Sequence, residues 1–170
     1  MTRDVSGGYG RGSGRGLGFG LAVAVLALDQ LSKWWIVAHV MDPPRVIPLT
    51  SFFNLVLGYN QGVSFGMFGS GSDFGRWALV ALALAISGAL LVWLWRAEKP
   101  LLAAALGLII GGALGNVIDR ARVGAVVDFL DFHAFGYHWP AFNVADSAIT
   151  VGAAVLILDS LFAGAADKKG

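Results

Sequence analysis

The chain has 170 residues, of which 56% are hydrophobic and only 14% are charged, and its mean hydropathy is +0.70. These values exclude an ordinary soluble domain and indicate a membrane protein. A net charge of +1 excludes the basic excess that holds nucleic acids, and the lack of cysteine excludes disulfides, thiol nucleophiles and cysteine-ligated metals.

The first part of the chain is read as a tail followed by a membrane span. Residues 1–16 contain three arginines and six glycines, a composition that predicts a disordered cytoplasmic tail. Leu17 to about Val40 is long and apolar enough for a spanning helix, although Asp29 and Lys33 interrupt it. No good A-x-A cleavage site follows, so we expect this helix to be retained and not removed as a secretory signal.

The next two spans come close together in the sequence. Trp77 to Trp95 is the most apolar segment and has tryptophan at both ends, where such rings prefer the headgroup level. Leu101 to about Asp119 carries a glycine at every fourth position, a pattern that lets another helix backbone approach closely. These glycines are Gly107, Gly111 and Gly115. We therefore expect the third span to pack at the centre.

The fourth span runs from about Phe142 to Phe162, before a second cytoplasmic tail at residues 163–170. Basic residues bias the segments that flank a span toward the cytoplasm. If both termini lie in the cytoplasm, most of the Lys and Arg residues outside the spans lie on the cytoplasmic side. The cytoplasmic set is Arg3, Arg11, Arg15, Arg96, Lys99, Lys168 and Lys169; the outer set is Arg45, Arg76, Arg120 and Arg122. The sequence thus predicts both termini inside and residues 41–76 and 120–141 outside.

The first outer segment, 41–76, combines β-forming residues with glycine-rich turns, which predicts a small sheet or hairpin at the membrane surface. The second, 120–141, is expected to be an outer loop. The predicted fold class is therefore an all-α membrane protein with four transmembrane helices, a small β-rich outward-facing subdomain and a second outer loop, with the four-helix domain at residues 17–162.

Ionisable residues near membrane spans are costly and gather here at the outer end, which suggests a site. Asp29 and Lys33 are four residues apart on the first helix, acid before base, as in a structural ion pair. Asn116, Asp119 and Arg120 share one face of the third helix. The three histidines lack the spacing of a zinc-protease motif, so we expect neither a metal nor another cofactor.

Two aspartates could meet at this end of the membrane domain. Asp128 interrupts an apolar run, and Asp146 follows Asn143 by three residues at the head of the fourth helix. Taken singly, Asp128 could be an exposed loop acid and Asp146 a helix cap. Together, two close carboxyls can share one proton and so supply both a base and an acid for hydrolysis of an amide by water.

Alternatives remain open at this point. Asp131 is a rival for Asp128, and His133 or His138 could activate Ser64 or Ser147 as a nucleophile, although neither serine has an obvious partner base. Intramembrane charges also occur in proton or ion transporters, and the glycine face would suit a noncatalytic assembly or lipid-binding protein. A conduction path would spread polar groups through the membrane, whereas the second helix offers only Ser87.

Five ordered motifs resemble the lipoprotein signal peptidase (signal peptidase II) family, a bacterial group of membrane aspartyl peptidases. They are DQLSKWW, FFNLVLGYNQGVSFGMF, GGALGNVIDR, VVDFLDF and WPAFNVADSAITVG. The resemblance implies that Asp128 and Asp146 are the catalytic pair, and that Asp29 and Lys33 belong to the first-helix motif. The pocket-lining or supporting positions that it implies are Asn60, Gly62, Asn116, Asp119, Arg120 and Asn143.

The resemblance also implies a substrate and a location. The substrate would be a prolipoprotein cleaved just before its diacylglyceryl-modified cysteine. Independently of the resemblance, we expect a monomer that contacts membrane lipids. The site would lie near the outer face of the bacterial inner membrane, and globomycin-type peptides would inhibit it. One departure concerns the NQGVSF segment, where Val63 and Ser64 replace two alanines that are usual in the family, which leaves the shape of the pocket open.

Overall fold

The protein was analysed as a computed structural model that describes residues 13–62 and 73–167. The predictions that concern residues 1–12, Val63, Ser64 and residues 168–170 lie outside these ranges.

Within the described residues, four helices are long and apolar enough to cross a membrane, which confirms the predicted fold class. α1 is Ser13–Trp35 and continues as a π-helical turn at Ile36–Val40; α2 is Asp73–Arg96, α3 is Pro100–Val123 and α4 is Val144–Asp167. α1 and α3 finish, and α2 and α4 begin, at one end of the bundle, which is called the sheet end below. Because α3 extends to Val123, Arg120 lies within this helix and not in the outer loop predicted for residues 120–141.

Helix α3 occupies the centre of the bundle. More than half of its span is buried, whereas most of each other span is open to the surroundings. Close approach explains the burial, because a methyl group on Gly107 would collide with the carbonyl oxygen of Gly18, and one on Gly112 with that of Ala145. Pro100 begins the helix and Gly124 ends it in the left-handed conformation, with φ of 87°.

A four-stranded antiparallel sheet covers the sheet end, in the order β1-β2-β3-β4. Its strands are Ile47–Pro48, Phe53–Asn60, Val126–Ala134 and Tyr137–His138. The first outer segment thus forms strands, as predicted, but its longest strand pairs with the second segment, which was expected to be a loop. β3 is buried at every residue from Val126 to Phe129, so it lacks the alternation of buried and exposed residues that is typical of a half-buried strand.

The register of β2 and β3 brings two polar side chains together. A shift between Leu55 and Gly58 places Gly58 opposite Asp128 and Asn60 opposite Val126. Since side chains alternate between the faces of a strand, Asn60 and Asp128 project from the same face. The sheet thereby carries Asp128 over the ends of the helices.

The glycine contact at the centre gives a direct test of the packing. We expect Gly107→Ala to lower the free energy of unfolding by about 1–3 kcal/mol, because the added methyl group would force α3 away from α1. Thermal unfolding in detergent measures the effect. Gly88→Ala is the matched control, because a methyl group there meets open space, and it should leave stability unchanged or slightly higher. Equal melting temperatures for both variants would contradict the close packing.

Candidate active site

Asp128 lies in β3 with only 3% of its surface exposed. Its Oδ1 accepts a hydrogen bond of 2.7 Å from Asn143 Nδ2, and the Asn60 side chain supplies another hydrogen bond. The alternative of an exposed loop acid does not fit this burial. Asp128 therefore faces an enclosed polar site.

Asp146 is the third residue of α4, but Asn143 caps the helix. Asn143 Oδ1 accepts the backbone N–H of Asp146 at 2.9 Å, the usual bond from a capping residue to the third helical position. The carboxylate of Asp146 is thus available for other contacts, and its Oδ1 accepts a hydrogen bond of 2.8 Å from Asn116 Nδ2. Its place in the first turn also favours negative charge, because the helix dipole is positive there.

Two asparagines connect the two aspartates. Asn143 donates to Asp128 and, at 3.4 Å, to Asn116 Oδ1, and Asn116 donates in turn to Asp146. The structure thus joins residues from β3, α3 and the head of α4. A pair of carboxyls results, each with a neutral amide donor at one oxygen.

A buried ion cluster lies beneath this pair. Lys33 Nζ lies 2.8 Å from Asp29 Oδ2, 2.7 Å from Asp119 Oδ2 and 3.1 Å from Asn116 Oδ1. Three acceptors match the three N–H groups of an ammonium ion. The Asp29 and Lys33 pair that the sequence indicated is thus part of a cluster that also includes α3.

The cluster also holds the backbone beside each aspartate of the site. Asp29 Oδ1 accepts the N–H of Ala145 at 3.0 Å, and Asp119 Oδ2 accepts the N–H of Val127 at 3.1 Å. Ala145 precedes Asp146 and Val127 precedes Asp128 in the sequence. The positions of both carboxyls are therefore fixed by one set of buried charges.

Gln30 is a site residue that sequence reasoning did not single out. Its Nε2 donates to Asp119 Oδ1 at 2.9 Å and also lies 3.2 Å from the carbonyl oxygen of Gly115. Its position in the sequence beside Asp29 could have identified it, because a second polar residue within an apolar span also needs a hydrogen-bond partner.

Arg120 lies beside the site and has a hydrogen-bond donor that is not used within the described residues. It is within electrostatic range of Asp146, Asp119 and Asp128. Its Nε is buried, and no hydrogen-bond partner is found for it in the described part of the chain. Gly62, with φ of 95°, lies against the guanidinium, since a methyl group there would come 3.2 Å from Arg120 Nη2.

The electrostatic environment distinguishes Asp128 from Asp131 on the same strand. Burial is the main cause that raises the pKa of Asp128 to about 6; the charge of Asp146 adds to it, and hydrogen bonds from Asn60 and Asn143 oppose it. Burial also acts on Asp131, but hydrogen bonds from Asn54 and His138 outweigh it and hold its pKa below the usual value.

The residues considered as alternatives to the aspartate pair make contacts elsewhere or lie outside the described residues. Asp131 accepts a hydrogen bond of 2.8 Å from Asn54 and contacts His138 at 2.9 Å. The hydroxyl of Ser147 donates to the carbonyl oxygen of Asn143 at 2.9 Å. Ser64 lies outside the described residues. Across residues 13–62 and 73–167, no group of three or more histidine or acidic side chains is arranged to hold a metal ion.

Fold and site together define the class: a multi-pass membrane hydrolase of the aspartic type. A family model described as signal peptidase (SPase) II matches residues 21–162. The chain belongs to this signal peptidase II family, which confirms the family that the sequence motifs indicated.

Relatives and solved structures agree with this assignment. The chain is similar to the lipoprotein signal peptidase of Methylorubrum extorquens, with 53% identity over 142 residues and 81% of each chain covered. It is 50% identical over 137 residues to that of Beijerinckia indica, covering 79% of this chain and 81% of the relative. A bacterial membrane enzyme solved at 1.9 Å matches with a TM-score of 0.76 and 32% identity, covering 86% of this chain and 93% of that one.

The ion cluster predicts a large loss of stability when its cation is removed. Lys33→Met keeps an unbranched side chain of similar length but leaves Asp29 and Asp119 as two buried carboxylates without a counter-ion. We expect unfolding to become easier by about 3–5 kcal/mol, measured by thermal or denaturant unfolding in detergent. Lys99→Met is the control, because Lys99 is exposed. A Lys33→Met protein as stable as this control would show that the cluster is not needed for the fold.

Proposed function

We propose that this protein cleaves prolipoproteins just before the diacylglyceryl-modified cysteine, with Asp128 and Asp146 as its catalytic pair. Removal of signal peptides from prolipoproteins is the activity of the family to which the chain belongs. The observation that carries the catalytic assignment is the pair of carboxyls joined through Asn143 and Asn116 at the sheet end of the bundle.

The environment of each carboxyl supports a division of roles. Asp128 has the raised pKa and is proposed to hold the shared proton, donating a hydrogen bond to the carbonyl oxygen of the scissile peptide. The Asp146 carboxylate takes a proton from the attacking water as the water oxygen bonds to the carbonyl carbon. When the tetrahedral intermediate collapses, the C–N bond breaks and Asp146 returns that proton to the departing amine nitrogen.

Arg120 is proposed to bind the substrate backbone. Its guanidinium offers several donors in fixed directions, and its buried Nε has no partner among the described residues. Asn60 and Gly62 shape the same region, since Asn60 Oδ1 accepts the N–H of Gly62 at 2.8 Å. A side chain at Gly62 would collide with Leu79 and crowd Arg120, so glycine is what lets the turn lie directly against the guanidinium.

The position of the site suits a lipid-modified substrate. Both carboxyls lie where the helices end, so acyl chains and an apolar signal helix can stay in the bilayer while the peptide bond reaches water. The balance of basic residues supports a bacterial inner-membrane protein with both termini in the cytoplasm and the site at the outer face. We propose a monomer in which globomycin-type peptides occupy the same site.

The dyad is tested by cleavage of a diacylglyceryl-modified prolipoprotein by the purified enzyme. Asp128→Asn and Asp146→Asn should each lower the rate by about 10²- to 10⁴-fold or more, because each removes one half of the acid and base chemistry. Gel shift and mass spectrometry detect the product cut before the lipidated cysteine.

Two further aspartates serve as controls for this experiment. Asp159→Asn, far along α4, and Asp131→Asn, on the same strand as Asp128, should keep activity as long as they remain folded. Full activity of Asp128→Asn with loss in Asp131→Asn would move the catalytic role to Asp131. Cleavage by every variant would remove the dyad assignment.

The raised pKa of Asp128 predicts a pH dependence. Asp128 is protonated below about pH 6 and ionised above it, so the free enzyme loses its acid as the pH rises through about 6. We expect kcat/KM to fall on the alkaline side of this value and to fall again in strong acid, where both carboxyls are protonated. Initial rates on a lipid-modified peptide across the pH range measure the profile, and a flat profile would contradict the shared proton.

A further inference from the structure

The outermost part of the sheet carries an exposed aromatic face. A pocket of about 370 Å³ opens there between strands β3 and β4 and the chain before β2. Phe132, Tyr137 and Trp139 line it, and Tyr137 and Trp139 are 72% and 63% exposed. Side chains of this kind have an apolar body and, in tyrosine and tryptophan, one polar atom at the edge.

The opposite face of the same strands is polar. His138 lies between Tyr137 and Trp139 in the sequence and points the other way, to Asp131 at 2.9 Å. Its ring also stacks on that of His133, with centroids 4.8 Å apart, and Asn54 completes the group through its bond to Asp131. The end of the sheet is thus amphipathic, with an aromatic and a polar side.

The hairpin tip adds a second, independent observation. Phe135 and Gly136 form the two-residue turn between β3 and β4, with φ of 52° and 80°. The first position of such a turn usually holds Asn, Asp or Gly, because other side chains are strained at positive φ. Phe135 is nonetheless fully exposed, so no contact within the described chain offsets the strain or the exposed ring.

The aromatic face is continuous with the surface of the membrane spans. Phe132 stacks on Phe142, with ring centroids 5.8 Å apart, and Phe142 lies two residues before α4 begins. Three backbone hydrogen bonds tie Phe142 to Phe129 and Leu130 of β3. The sheet is therefore anchored where a span enters the bilayer.

We propose that the aromatic face and Phe135 lie in the headgroup region of the lipid bilayer and hold the β3–β4 hairpin on the membrane surface. Aromatic rings concentrate at this level of a bilayer, where their apolar bodies leave water and their polar atoms stay hydrated. The polar face of His133 and His138 is directed to water. Lipid occupies the pocket in this arrangement, and the contact with the bilayer does not depend on bound substrate.

Spin labels on neighbouring residues test this placement directly. The chain has no cysteine, so single cysteines can be labelled without a background, and Tyr137→Cys and His138→Cys place labels on opposite faces of one strand. In lipid nanodiscs, the label at 137 should be several-fold more accessible to oxygen, which partitions into the bilayer, than to a water-soluble nickel chelate. The label at 138 should show the opposite preference.

Two further labels guard against local distortion. Phe135→Cys should behave like Tyr137→Cys, and His133→Cys provides a second label on the polar face if loss of the His138 contact disturbs the hairpin. A nickel-accessible label at 137, equal to those on the polar face, would overturn the proposal and leave the aromatic face as a surface for a polypeptide. No cleavage is measured, so the result is independent of the catalytic assignment.

Discussion

The buried contact of Lys33 with Asp29 and Asp119 is the interaction on which the rest of the site depends. One cation, within 2.8 Å of both carboxylates, joins the first and third helices. Each carboxylate uses a second oxygen lone pair to hold a backbone N–H, at Ala145 and at Val127. Charges in such a place are costly unless every one is paired and hydrogen-bonded, and here they are.

This arrangement separates the groups that hold the site from those proposed to react. The proposed reacting carboxyls of Asp128 and Asp146 contact neutral amides, while the cation of Lys33 pairs with other acids. A lysine bonded directly to Asp128 would keep that carboxyl ionised and remove its use as an acid. The cluster can thus fix the positions of both carboxyls without fixing their charge, as preorganised catalysis requires.

The sequence predicts much of this structure because the free-energy cost of a charged residue in an apolar segment can be recognised from its immediate neighbours in the chain. Charged residues in apolar runs drew attention to Asp29, Lys33 and Asp128, and the spacing of Asn143 and Asp146 placed both at one helix start. The pairing of β2 with β3 depends on contacts between distant segments. The stretch around Asp128 is buried on both faces, so it lacks the alternation of apolar and polar residues by which a strand is predicted. The contacts of Gln30 with Gly115 and Asp119 could not be predicted for the same reason, since these two residues lie on another helix.

Asp128 and Asp131 show how one strand can give two aspartates different chemistry. They are three residues apart, so alternation along β3 directs them to opposite faces. Asp131 meets Asn54 and the His138 ring, whose donors stabilise its ionised form and lower its pKa. Asp128 meets a second carboxyl in an enclosed site, and burial keeps its pKa near 6. The side of the sheet, and not the residue type, therefore decides which of the two can hold a proton for catalysis near neutral pH.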